Sequence, residues 1–125
     1  MRVLSVTAQK PCSTGSGVYL TEVVRSLAKM GVSQAVVAGV TREDRVDMPE
    51  GVTVYPVYFS SEKLPYPVVG MSDEMPYTST RYRDMTEEMA GQFKAAFLEV
   101  LDEAIEKENP DIILCHHLYL SLIHI

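Results

Sequence analysis

Two places in this 125-residue chain bring together residue types that do chemistry. The first is Gly15-Ser16-Gly17, set between an apolar stretch (Val3, Leu4, Val6) and an amphipathic one. Glycines let a backbone approach a ligand closely, and a helix beginning there aims its N–H groups at an anion. The second is His116-His117, which follows the apolar run Ile112-Ile113-Leu114-Cys115. An imidazole donates, accepts and titrates near neutral pH, so an anion-facing turn and a histidine at one sheet edge point to nucleotide chemistry.

The known phosphate-binding patterns narrow this expectation. Gly15 and Gly17 supply the first two glycines of GxGxxG, but Leu20 occupies the third position. The second strand ends in Ala38-Gly39-Val40, with no acid placed for a ribose hydroxyl. A dinucleotide fingerprint needs both, and the P-loop pattern GxxxxGK[ST] does not occur. What remains is a generic anion-facing turn, worth roughly 0.3 to 1 kcal/mol per charge, enough to orient a diphosphate but not to bind it alone. A tight turn with a purely structural role stays open beside it. His116 and His117 are adjacent on or just past a strand, so their side chains point to opposite faces and do not share a metal. Cys12 and Cys115 lie far apart and form no CxxC pair. A zinc site made of both with one histidine would lack any short ligand spacing, so no metal is expected, only two reduced thiols.

The elements that must position these groups follow in order. Leu20, Val23, Val24, Leu27 and Ala28 recur at helical spacing and predict a helix over Val18–Met30. Gly31 is its stop, and Ala35-Val36-Val37-Ala38 reads as a buried strand. Residues 41–51 are charged and read as an exposed connection with no function. Val52, Val54 and Val57 make a third strand, with Pro56 marking its end or an edge. From Phe59 to Arg83 four Pro and Gly breakers alternate with tyrosines and methionines, which predicts a long ordered loop. A substrate-covering role and simple packing on its own aromatics are both open for it. Asp84 and Glu87 have capping-box spacing before a long helix carrying Met89, Phe93, Ala96, Phe97, Val100, Leu101, Ala104 and Ile105 on one face. Asn109-Pro110 ends that helix, and Ile112–Cys115 reads as a fourth strand buried on both faces.

Strand, helix, strand in this order, with right-handed crossovers, gives an α/β fold: a Rossmann-like, doubly wound parallel sheet. A chain of this length removes roughly two-thirds of its unfolded surface from water and forms one core. Hydrophobic residues at 46% and charged residues at 22% are globular values. A net charge of -6 argues against nucleic acid as a partner. No stretch reaches the roughly 18 apolar residues of a spanning helix, and no signal peptide precedes the first strand, so the cytoplasm is the expected compartment.

Thr14-Gly15-Ser16-Gly17-Val18-Tyr19, Leu64-Pro65-Tyr66-Pro67-Val68-Val69-Gly70-Met71-Ser72-Asp73 and Pro110-Asp111-Ile112-Ile113-Leu114-Cys115-His116-His117-Leu118 carry a resemblance in their order and spacing. Residues 1–120 resemble the N-terminal domain of GT-B retaining glycosyltransferases of the family 4 type. The resemblance implies that Ser16 and Gly17 offer backbone N–H groups to the diphosphate of a nucleotide-sugar donor, with Ser-Gly standing where Gly-Gly is common. It also implies that His116 corresponds to the second histidine of a His-x-His strand and orients the donor sugar, whereas Leu114 replaces the first. Residues 59–83 become an acceptor lid, with Tyr77 and Arg81 as acceptor contacts. The donor is a substrate rather than a cofactor, the acceptor a sugar or other hydroxyl compound, and a C-terminal Rossmann-like domain completes the site. On this reading the domain is incomplete, and Ser121–Ile125 resembles translated adapter read-through, so His124 has no role. The alternative is a non-enzymatic α/β module that binds a nucleotide or a protein partner.

Overall fold

The computed structural model describes residues 1–8, 10–11, 15–44, 46–62, 64–69, 79–81 and 84–116. Six elements follow one another: β1 (Arg2–Thr7), α1 (Gly15–Lys29), β2 (Ser33–Val40), β3 (Thr53–Tyr58), α2 (Glu87–Glu108) and β4 (Ile112–Cys115). All strands are parallel, in the order β3-β2-β1-β4. The fold is the Rossmann-like α/β architecture that the sequence pattern predicts.

Alternation along the strands divides the core into two layers. Leu4, Val6, Ala35, Val37 and Val57 face α2, which lays Phe93, Ala96, Phe97, Leu101 and Ala104 against them. Val36, Ala38 and Val40 face the other way, where Leu20 and Val24 of α1 cover them. Strands covered on both faces carry nearly continuous apolar runs, which is why β1 and β2 were legible as strands without alternation. The α2 layer is aromatic: Phe93 and Phe97 ring centroids lie 4.6 Å apart, and Phe59 reaches Tyr66 at 5.7 Å. Such pairs add about 0.5 to 1.5 kcal/mol beyond area burial.

The long segment after β3 packs as an ordered loop in its described parts. Phe59, Leu64, Tyr66, Val68 and Val69 are buried, and the Tyr66 hydroxyl donates to the Met89 carbonyl at 2.8 Å. Thr80 N–H donates to the Val68 carbonyl at 2.9 Å, and the Thr80 hydroxyl donates to Pro67 O at 2.5 Å. Tyr77 lies outside the described residues.

Two local expectations are corrected, and the expected end of α2 at Asn109-Pro110 is met. The α2 N-cap is Thr86 rather than Asp84: the Thr86 hydroxyl accepts from Met89 N–H at 3.2 Å, and the Thr86 N–H donates to Met89 Sδ. Asp84 is instead engaged by Arg81, and Glu87 and Glu88 complement the positive end of the helix dipole. The exit from α2 passes through Asn109 in the left-handed region (φ 45, ψ 59), a conformation asparagine tolerates, with its N–H held by Ile105 O at 2.9 Å. Finally, β4 is not buried on both faces. Ile112, Ile113 and Leu114 are 40%, 37% and 36% exposed, because β4 is a sheet edge and α1 and α2 lie chiefly over the other three strands. Pro56, by contrast, sits where expected, in the opposite edge strand.

Gly39 leaves no room for a side chain. A Cβ there would fall against the Ala8 carbonyl, 3.0 Å from its carbon, and 2.9 Å from Phe59 Cε1. Gly39→Ala therefore overpacks a junction of two strands and an aromatic ring. It should lower stability by about 2 kcal/mol in urea unfolding, against the slight gain that Gly→Ala brings at unstrained sites. An unchanged midpoint would show that this junction yields freely.

Candidate functional site

In a doubly wound sheet the crevice that receives ligands opens where successive crossovers leave the carboxyl edge in opposite directions. Here that point lies between β1, whose crossover through α1 leads to β2, and β4, which flanks β1 on its other side. The main-chain N–H of His116 donates to Val6 O at 3.0 Å, which carries the β1–β4 ladder one residue past β4. His116 follows Cys115, the partner of Val6, so its side chain is on the face opposite that of Val6 and Cys115. That is the α1 side of the sheet.

The imidazole is half-buried, and its Nε2 is enclosed without a hydrogen-bond partner among the described residues. Tyr19 of α1 meets the ring edge-on, with centroids 6.2 Å apart and planes at 65°. Both line a cavity of about 400 Å³ with Val23, Ile113, Leu114 and Cys115. Burial disfavours the imidazolium and pushes the His116 pKa below 6.5, so the ring is neutral at neutral pH. Cys115 faces the α2 core, and burial pushes its thiol up, away from thiolate chemistry.

The helix beside this crevice starts earlier than its apolar stripe predicts. Gly15, Ser16 and Gly17 form the first turn of α1 rather than a loop before Val18. The Thr21 hydroxyl donates to Gly17 O at 2.9 Å and ties that turn to the next. Helical geometry directs the N–H groups of such a first turn along the axis, away from the body of the helix.

One anchor of this edge was not legible in the sequence. Lys10 Nζ, beyond β1, pairs with Asp44 Oδ1 at 3.0 Å, and Asp44 Oδ2 accepts from Thr41 N–H at 2.7 Å and the Thr41 hydroxyl at 2.9 Å. Burial pushes the Asp44 pKa up, but the Thr41 and Lys10 hydrogen bonds outweigh it and hold the carboxyl below its ordinary value. The segment read as a featureless connection thus fastens the chain before α1 to the chain after β2. Its charge run looked solvated because the partner of Asp44 lies 34 residues away. Arg42, from the same segment, stacks over Tyr58 at 4.8 Å beside a separate cavity of about 540 Å³ between β3 and α2.

No protein family matches the chain, and no curated protein matches it. Of the residues expected to act, His116 directly follows β4, and Ser16 and Gly17 lie in the first turn of α1. Arg81 is exposed and held by Asp84 at 2.8 Å, an i,i+3 surface pair. Tyr77, His117 and Cys12 lie outside the described residues. Among the described residues, no three His, Cys, Asp or Glu side chains converge as metal ligands, and no helix is long and apolar enough to cross a membrane.

The depressed His116 pKa has a fixed sign. With the folded value below the unfolded one, the stability due to neutral His116 is complete above about pH 6.5 and is lost as pH falls through the folded value. NMR titration should find the His116 midpoint below the ordinary histidine value. His116→Gln should lose less stability than the wild type between about pH 7.5 and about pH 5.5. Equal losses in the two proteins would place the ring in open solvent.

Proposed function

We propose that this chain is the acceptor-side, Rossmann-like domain of a retaining glycosyltransferase that moves a sugar from a nucleotide-sugar donor to a hydroxyl acceptor. The observation that carries this reading is His116 at the β1–β4 crevice, its Nε2 without a hydrogen-bond partner among the described residues, on the same sheet face as the glycine-bearing first turn of α1. The resemblance of residues 1–120 to family 4 N-terminal domains supports it, as does the parallel sheet.

In this reading the first turn of α1 offers the backbone at Ser16 and Gly17 to the donor diphosphate, whose negative charge grows as the bond to the sugar breaks. A helix N-terminus favours that charge. His116 hydrogen-bonds a hydroxyl of the donor sugar and fixes the anomeric carbon relative to the acceptor. Its contribution is positioning and electrostatic, with no proton removed from the acceptor. A second Rossmann-like domain holds the nucleotide and the remaining diphosphate charge. The loop after β3, with Tyr77 and Arg81, contributes to the acceptor side, and Arg81 must leave Asp84 to do so.

A second reading rests on the exposed apolar edge of β4, Ile112 to Leu114, which would suit an α/β module that binds a protein partner without catalysis. Release of nucleoside diphosphate from UDP-glucose and GDP-mannose by the full-length protein, with the second Rossmann-like domain that this reading requires, separates the two. His116→Ala should lower turnover by about a hundredfold, and Gly17→Val should weaken donor binding by blocking close backbone approach. Near-normal kinetics in both variants would sink the site assignment.

A further inference from the structure

The β1–β4 crevice contains one side chain that neither the core nor the proposed donor contacts explain. Tyr19 is 64% exposed, although α1 already buries its apolar stripe through Leu20 and Val24. It stands one turn before Val23, and these two residues form a different strip of the helix that lines the cavity beside Leu114 and His116. An aromatic ring left this open contributes little to the core. Its one ring contact among the described residues is the edge-on approach to His116.

The imidazole needs such a neighbour. Rotation about the terminal bond of a histidine is broad, and a hydrogen bond usually selects one orientation. Among the described residues Nε2 has no such bond, and the hydrogen bond that His116 makes is from its main-chain N–H to Val6 O. Packing must therefore hold the ring, and Tyr19 is the aromatic wall on the α1 side.

We propose that Tyr19 is a positioning residue: its ring, edge-to-face with His116, fixes the imidazole in the orientation that meets a hydroxyl of the bound donor sugar. The assignment of the ligand rests on the glycosyltransferase reading, whereas the coupling of the two rings does not. The hydroxyl of Tyr19 makes no hydrogen bond among the described residues, so the ring, not the phenol, carries the role.

Tyr19→Ala and Tyr19→Phe test this, with NMR on this chain and kinetics on the full-length protein that carries the second domain, and an exposed helical site tolerates both. The ring-proton chemical shifts of His116 should move in Tyr19→Ala and stay near wild type in Tyr19→Phe. With UDP-glucose and GDP-mannose as donor probes, Tyr19→Ala should lower kcat roughly threefold to tenfold with little change in KM, and Tyr19→Phe should recover it. His116 shifts unmoved by Tyr19→Ala, or moved with kcat intact, would overturn the proposal. Absence of turnover by the wild type would count against the glycosyltransferase reading alone, and the shift comparison would then decide the ring coupling.

Discussion

Parallel pairing is the constraint on which the rest of this structure depends. Two parallel strands cannot be joined by a tight turn, so each connection must cross a sheet face, and it does so with a right-handed sense. From β1 the chain crosses through α1 to β2 and adds β3 beyond it. It then returns through α2 on the other face to set β4 against the free side of β1. β1 is thereby flanked on both sides, its residues from Val3 to Thr7 are buried, and the carboxyl edge splits between it and β4. The position of the crevice is a product of strand order before any side chain is considered.

The same order produces two edges of different character. β3 carries Pro56 in mid-strand, which has no N–H to offer a further strand, and such a residue discourages pairing with another chain. β4 has no such guard. Its three leading residues are apolar and more than a third exposed, and their sequence differs little from that of a central strand. An interior composition at an edge position is the feature that keeps partner binding in view as a second reading.

Much of the fold was legible because burial on two faces leaves a simple record. The runs Val3–Val6 and Ala35–Ala38 and the spacing from Met89 to Ile105 each have one explanation in a sheet covered by helices. What was not legible depends on competition between neighbours. Both Asp84 and Thr86 are capping residue types, but α2 begins at Glu87, which puts Thr86 in the N-cap position and leaves Asp84 to pair with Arg81. Gly15 to Gly17 have weak helix propensity, yet they are helical, and Thr21 reaches back to Gly17 O. The exposure of β4 depends on where the helices lie, which no strand encodes in its own residues. In the candidate site, His116 was legible because it ends an apolar run. Tyr19 was not, since an exposed tyrosine on a helix carries no pattern until its neighbour across the sheet is known.

His116 also shows how a local cost accumulates at the crevice. A buried polar atom without a partner forfeits about 1 to 3 kcal/mol, and a charged imidazole there would forfeit more, so the ring stays neutral. Among the described residues Ser5 Oγ is another such atom. Ser5 is 1% exposed, lies on the α1 face of β1 and pairs with Leu114, two residues before His116. Packing alone would favour valine at a central strand position, as at Val36, which pairs with Ser5 on β2. Among the described residues Ser5 Oγ, Gln34 Oε1 and His116 Nε2 are three unpartnered buried polar atoms on or just past three neighbouring strands beneath α1, a penalty that the apolar core must offset.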